Sequence, residues 1–590
     1  MLNSYRAAAL AAVVVLSGCA QTSESPAAPA SQRVRALAEQ AYQRELDLNP
    51  VFETLFVGRG PRMARAGVVP TEANVEKQRT LYRDIERELA TIPLEGLSET
   101  DRNTHEVLAR RAQAELARND FPLRAIQLLN PGRGVHSGLL FLASTAQPLA
   151  NEAEFEAWLQ RVEASTGNFE QAKLALQQAQ KKGWTQSRVL VERALGQMQA
   201  IAAKPGDQGP LWGPIARYPK DASEAKRADF AKRYRAVLDT KYLPAMREYM
   251  AYVRDEYLPQ ARTTTGIGAL PGGDTAYRSL VRVQTTTELT PEKVHEIGLA
   301  EVARVRAQML GVARGLGFRG DIKEFSAWLE SNPAVYPFTT PDAVLVYLRG
   351  VHARVVPQLP KLFKRVPKAG FEIRLADPEV AASASASYLS PSADGTRPGQ
   401  FTMPVVDPKR IASFGLTALL LHEGMPGHHL DIGLKRELDL PSIRKVFGVT
   451  AYSEGWGLYG ESLGHELGVY DDPWALMGRY QGELHRAARL VVDTGMHSKG
   501  WTREQAIRYL VEERGQTQRD ATVAIERYMS DPGQALAYKI GELEILALRD
   551  EAKKKMGARF DIREFHEAVL GEGALPLPLL RRRVEAWALR

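Results

Sequence analysis

The period of its apolar residues is what most constrains how this chain can fold. In RVRALAEQAYQREL at 33–46, FEAWLQRVEASTGNFEQAKLALQQAQKKG at 155–183 and the stretch from Ser223 to about Arg262, they recur every three or four positions. That spacing places them on one face of a helix, whereas a half-buried strand would need strict alternation. Helix starts are marked to match. Thr290-Pro291 and Thr340-Pro341 set a capping residue before a proline in the first turn, and Thr502 with Gln505 forms a capping box. Strand signals are confined to FEIRLAD at 371–377 and QFTMPVV at 400–406. The expected fold is mainly α, with one small sheet. A chain of 590 residues that is 44% hydrophobic is long enough to bury a large core.

The N-terminus reads separately. Residues 1–18 combine Arg6 with an apolar run from Ala7 to Leu16 and small residues up to Cys19, the single cysteine of the chain. The run is too short to span a bilayer and has the form of an export signal. The ending Leu16-Ser17-Gly18-Cys19 resembles the bacterial lipobox, which implies lipidation of Cys19 after removal of 1–18. Ala20 offers no inner-membrane retention aspartate, so the expected location is the cell envelope, at the outer membrane and facing the periplasm. Residues 19–32, poor in large apolar side chains and rich in Ser, Ala and Pro, read as a flexible tether. One cysteine excludes an internal disulfide. The net charge of +7 is spread over 77 basic and 70 acidic residues without a basic run, which leaves a nucleic-acid partner no patch to use. Membrane contact is expected through the lipid anchor alone.

The chemistry concentrates in LLLHEGMPGHHLD at 419–431. The pair His-Glu occurs five times, and only His422-Glu423 is followed closely by further histidines, His428 and His429. Zinc needs nitrogen or carboxylate ligands within about 2.0–2.2 Å and a position open for water. In H-E-x-x-H a helix supplies two imidazoles on one face. Here the step is six or seven residues, which on an unbroken helix leaves His428 roughly 120° off or His429 ~10.5 Å along the axis. Pro426 and Gly427 break that helix, and a two-residue bulge would carry His428 to the ligand position. His429 is the alternative. The histidine left over would support the ligands or touch substrate. Glu423 is the candidate general base. Downstream, SEGWGLYGESLGHEL at 453–467 reads as a helix carrying Glu454, Leu458, Glu461 and His465 on one face. Glu454 is the candidate third ligand, with Glu461 or Asp431 as partners of the histidines.

HEGMPGHHLD and SEGWGLYGESL, with LPGGDTAY, TPEKVHEIGL, SADGTRPGQF, RLVVDTGMHSKGW and PGQALAYKIGELEI, resemble the bacterial family called domain of unknown function 885. That family is grouped with gluzincin-type zinc peptidases and includes many proteins regarded as lipoproteins. The resemblance covers nearly the whole mature chain. It implies a large helical gluzincin-like metallopeptidase fold with a central cleft and a small sheet near the metal. The plan is also similar to that of helical carboxypeptidases and oligopeptidases, where His-Glu-x-Gly-His is followed later in the chain by a ligand Glu, and matching that Gly-His to Gly427-His428 favours His428 as ligand, beside His422 and Glu454, for one zinc ion. It further implies that His497 and Tyr538 donate hydrogen bonds to a tetrahedral oxyanion. The strand QFTMPVV would hold an extended peptide by edge pairing, with Arg397, Lys539 and Tyr277 binding a substrate carboxylate or lining the pocket.

These readings divide the chain into an N-terminal helical lobe, 33–265, and a catalytic lobe, 266–590, forming one structural unit. The Gly/Pro break GALPGGDTAY at 268–277 lies at their junction. The expected function is a lipid-anchored zinc metallopeptidase that hydrolyses short peptides as a carboxypeptidase, dipeptidase or oligopeptidase. Two competing readings are a non-catalytic peptide- or metal-binding lipoprotein and a zinc amidohydrolase of a non-peptide amide. Glu423 argues against a pure binder, which has no use for a base.

Overall fold

The computed structural model describes residues 29–376, 381 and 385–590. The signal segment, Cys19 and the tether up to residue 28 lie outside the described residues, as does Asp377. The first helix, Ala30–Leu48, begins inside the span expected to be tether.

The expected helices form where the apolar period places them. The stretch 155–183 forms two helices, Glu152–Ser165 and Asn168–Lys181, with turns at 166–167 and 182–183. The stretch after Ser223 is helical from Glu224 to Tyr257, with two wide turns at Leu238–Tyr242 and Val253–Tyr257. The Thr290 hydroxyl accepts from the Lys293 N–H and Thr340 from the Ala343 N–H, while Thr502 and Gln505 close a full capping box. Each satisfies a backbone donor that the first turn leaves orphaned.

One three-stranded sheet is present among the described residues: β1 (Phe371–Leu375), β2 (Ser387–Leu389) and β3 (Gly399–Met403), in the order β1-β3-β2. β3 pairs with β1 in parallel, Ile373 opposite Phe401, and with β2 antiparallel, Tyr388 opposite Phe401. The strand expected from QFTMPVV therefore sits at the centre of the sheet. Both its edges are occupied, so it cannot hold a peptide by edge pairing. The three-residue β2 was not expected, because it is too short to show a period.

Six helices carry the site: α1 (Pro291–Gly315), α2 (Phe414–Glu423), α3 (His428–Glu437), α4 (Thr450–Ser462), α5 (Pro473–His497) and α6 (Ala537–Met556). α5 packs against both α1 and α2, and α4 lies on α6. The last pair approaches backbone to backbone: a Cβ at Gly455 would stand 2.5 Å from the Gly541 Cα. α4 stops at Ser462, short of the expected span, and His465 lies in the turn beyond it, edge-on to Tyr470.

The largest apolar core includes Trp158, Tyr257, Ile267, Tyr277, Trp456 and Leu575, and so runs across position 265 without interruption. The break at 268–277 is packed against this body, with Gly268 and the preceding Gly266 on the backbone of His497 and Met496. No helix among the described residues is long and apolar enough to cross a membrane.

Candidate metal centre

α2 ends at Glu423 and α3 starts at His428, so the motif is a break between two helices rather than one bulged helix. Pro426 has no N–H to continue the ladder. The Gly427 N–H instead donates to the Leu421 carbonyl at 2.9 Å, and the His429 N–H to that of Gly424 at 3.0 Å. These are six- and five-residue steps where a helix uses four. They absorb the two extra residues of the motif. The Met425–Pro426 peptide is cis. A Cβ on residue 427 would lie 2.0 Å from the His422 carbonyl oxygen, so this closure requires glycine. The Trp456 indole N–H donates to the Pro426 carbonyl at 2.8 Å and ties the break to α4.

The break brings His428 beside His422, with ring centroids 4.7 Å apart. α4 brings Glu454 to both. Its Oε2 lies 3.5 Å from the Nε2 of His422 and 3.5 Å from the Nε2 of His428. Ligands about 2.1 Å from a tetrahedral ion stand roughly 3.4 Å apart, so these separations fit a single zinc-sized centre. Two imidazole nitrogens and one carboxylate are also the donor types of catalytic zinc sites. Among the described residues, His422, His428 and Glu454 are the one group of three or more such side chains able to share an ion. His428 and Glu454 keep 12% and 20% of their side-chain surface exposed, which leaves the cluster open on one side.

The electrostatics ask for positive charge at this point. Burial alone lowers His422, but its contacts with Glu454 and Glu461 outweigh burial and lift it to about 9. Burial raises Glu454, yet the two histidines hold it well below the usual carboxylate range. A proton shared by these groups occupies the electrostatic role that a cation would fill. Burial also pushes Glu423 up, against the pull of His422 and His428.

Supporting contacts fix the ligands. The Nδ1 of His422 donates to Glu461 Oε1 at 2.9 Å, which turns Nε2 toward Glu454. The Arg486 guanidinium lies 3.3 Å from the same oxygen. Of the two acids expected to support the histidines, Glu461 does so directly. Asp431 does not: both its oxygens are buried without a hydrogen-bond partner, as is the Nδ1 of His428.

His429 is turned away from the cluster. Its Nε2 donates to the Ala369 carbonyl at 3.1 Å and its Nδ1 accepts from the Tyr388 hydroxyl at 3.0 Å. Burial holds the ring neutral, its pKa pushed down to about 4. Fully buried with both nitrogens committed, it is neither gathered with the candidate ligands nor free to touch a substrate.

Tyr538 lies at the site. Its ring is nearly parallel to that of His422, with centroids 6.3 Å apart. The guanidinium of Arg489 sits 4.5 Å over the tyrosine ring. Burial, then the charge of Glu454, raises the Tyr538 hydroxyl and keeps it a donor.

Four expected site residues have structural partners instead. His497 is fully buried, its Nδ1 accepting from the Ile267 N–H and its Nε2 donating to the Tyr528 carbonyl, each at 3.1 Å. No ring nitrogen is left to stabilise an oxyanion. Tyr277 is fully buried and donates to Asp493 at 2.5 Å. Lys539 has no exposed surface and is enclosed by Glu301, Glu483 and Glu542 at 3.0, 2.7 and 2.6 Å. It joins α6 to α1 and α5 and has no freedom to meet a substrate. Arg397 donates to the Leu55 carbonyl at 2.8 Å and braces the loop before β3 against the segment around Leu55.

Sequence reasoning missed Arg489 and Tyr388. Arg489 carried a usable signal: it interrupts the apolar run Ala487 to Val492 in a helix, and a charge there must be matched by something polar. Tyr388 carried none, since its role depends on β2 lying beside α3.

A mainly helical body with one small sheet, and a His, His, Glu cluster set between three helices, is the class that fold and site define. The chain belongs to the family described as "Bacterial protein of unknown function (DUF885)", whose model matches residues 54–584. No curated protein sequence matches it. A crystal structure from Colwellia psychrerythraea, of a protein described as a "putative lipoprotein", is similar at a TM-score of 0.88 and 28% identity, over 95% of this chain and 99% of that one. A second solved structure, from Shewanella oneidensis and described as a "putative lipoprotein of unknown function", is similar in fold at a TM-score of 0.69 and 19% identity, over 93% and 99%.

Proposed function

We propose that this chain is a zinc-dependent metallopeptidase of gluzincin type, hydrolysing short peptides at the cluster of His422, His428 and Glu454. One observation carries the reading: both histidine Nε2 atoms stand 3.5 Å from one carboxylate oxygen, with Glu423 next to the first histidine in the chain. A zinc ion held there supplies Lewis acidity to a carbonyl and makes water a better nucleophile at neutral pH. Glu423 takes a proton from the attacking water and delivers it to the leaving amine. The Tyr538 hydroxyl donates to the oxygen that gains charge as the carbonyl becomes tetrahedral. Glu461 keeps the His422 ring in place throughout.

Cys19, at the end of the lipobox-like segment, would anchor the protein by a lipid in the cell envelope, at the outer membrane facing the periplasm. The similar crystal structure from Colwellia psychrerythraea is of a protein described as a "putative lipoprotein", which supports the anchor.

The test is metal analysis of the purified protein together with hydrolysis of a peptide library by wild type and Glu423→Gln. Stoichiometric zinc, and cleavage lost in the variant with the metal retained, is the expected result. Cleavage that persists unchanged in the variant overturns the catalytic assignment, and zinc without any cleavage favours a binding protein.

A further inference from the structure

The residues expected to receive a substrate carboxylate are all engaged elsewhere, yet the wall beside the cluster is basic. Arg486 and Arg489 stand one turn apart on α5, and Arg514 closes the helix Arg503–Arg514. Arg489 is 5% exposed; its Nε donates to the Tyr528 hydroxyl at 3.0 Å and one terminal nitrogen to His485 Nε2 at 2.9 Å. Arg514 donates to the side-chain oxygen of Gln516. None of these partners is a carboxylate. Four buried donors have no acceptor: Arg489 Nη1, Arg486 Nε, Arg514 Nε and His485 Nδ1.

Arg489 and Arg514 are therefore gathered here without a carboxylate contact, and Arg486 has that of Glu461 alone. Burial, with Arg514, Arg489, Arg486 and Arg527 nearby, holds His485 in its neutral form. Leaving several N–H donors and cations buried without acceptors is costly unless a ligand completes them. The position is also suitable. Arg489 covers the face of Tyr538, whose ring lies against His422, and Arg486 touches Glu461 behind the same histidine. His485, Arg486 and Arg514 all keep partial exposure, so this wall borders solvent.

We propose that Arg489, with Arg486 and Arg514 beside it, receives a carboxylate of the substrate, so that the preferred peptides carry a negative charge next to the bond that is broken. Guanidinium groups suit this role because their forked N–H donors match the two oxygens of a carboxylate. The inference rests on the peptidase reading for its substrate but concerns recognition alone. The carboxylate has two possible sources, the C-terminus of the peptide or an Asp or Glu side chain.

The test uses the zinc-loaded full chain and three matched peptides: a free acid, its C-terminal amide, and an amide carrying Glu next to the scissile position. Cleavage is measured with wild type, and binding by calorimetry with Glu423→Gln, which separates recognition from turnover. The free acid should exceed the plain amide by about ten- to hundredfold in kcat/KM and in affinity. Rescue by the Glu-bearing amide identifies a side-chain carboxylate as the source, and failure of rescue identifies the C-terminus. Arg489→Gln should erase the preference, and the more exposed Arg514→Gln should weaken it if the first variant does not fold. Equal binding and cleavage of acid and amide, or an undiminished preference in a folded Arg489→Gln, overturns the proposal. Cleavage that needs Glu423 leaves the peptidase reading standing in that event. Absence of cleavage refutes that reading while the binding arm still decides this one.

Discussion

The Nδ1 of His422 donates to Glu461 at 2.9 Å, from a motif helix to a helix some forty positions later in the chain. This bond selects which ring nitrogen faces Glu454. Without it the imidazole is free to rotate or change tautomer, and the free energy of ordering it falls on metal binding. Glu461→Gln is expected to bind zinc about ten- to a hundredfold more weakly than wild type, measured by chelator competition. An unchanged affinity would show that the packing of the ring alone sets its orientation.

His428 and His429 are neighbours with opposite surroundings, and their alanine variants should separate. His428→Ala removes one of the three gathered donors and should abolish stoichiometric zinc while leaving the melting temperature of the metal-free protein nearly unchanged. His429→Ala leaves the cluster intact but strands the Tyr388 hydroxyl and the Ala369 carbonyl in a half-buried place. It should retain zinc and lose about 1–3 kcal/mol of stability. Zinc analysis and thermal melts of both variants check this, and the reverse pattern would move the ligand to His429.

What could be read in advance follows the range of the interactions involved. Thr290, Thr340 and Thr502 act on backbone groups three residues away, so their roles were plain in the sequence. Pro426 and Gly427 likewise announced a break, since both act on the local backbone. The gathering of His422, His428 and Glu454 was legible because residue types able to share an ion stood at reachable spacings. The failures are residues whose partners are remote. His497 is satisfied by Ile267, 230 positions away, and Tyr277 by Asp493, 216 positions away. Lys539 depends on Glu301, reached only because α1, α5 and α6 meet. No local pattern distinguishes a buried histidine or lysine with such partners from one that faces a substrate.

The Tyr277–Asp493 contact makes a pH prediction. Burial pushes the Asp493 carboxyl up to about 7, although Tyr277 and Gly533 donate to it. Its ordinary value is 3.8, so the folded state holds a proton that the unfolded chain releases. The resulting stability is complete below about pH 4 and is lost as pH rises toward 7, by up to about 4 kcal/mol. His497 and His566, both held neutral with pKa values near 3, act in the opposite sense, losing stability as pH falls from 6.5. The informative curve is therefore the difference from Asp493→Asn, whose amide oxygen still accepts from Tyr277. Denaturant unfolding from pH 4 to 7 should show wild type weakening relative to this variant. Parallel curves would mean that Asp493 is ionised throughout.

Gly457 provides the most selective probe of the site, because the ordinary effect of its substitution has the opposite sign. Replacing a helical glycine by alanine normally adds about 1 kcal/mol of stability. On α4, however, a Cβ at 457 would stand 2.7 Å from Cε1 and 2.9 Å from Nε2 of His422. The ring cannot simply move aside, since Glu461 holds Nδ1 and Tyr538 lies along its face. Gly457→Ala should therefore keep its helical content yet bind zinc at least about tenfold more weakly, as the imidazole gives up either its bond to Glu461 or its approach to Glu454. Gly415, at the start of α2, has nothing within 4 Å of the same added atom and serves as the control. Gly415→Ala should bind zinc as wild type does and melt slightly higher. Circular dichroism and chelator competition on the two variants decide the matter, and full zinc affinity in Gly457→Ala would mean that the His422 ring is not held where α4 places it.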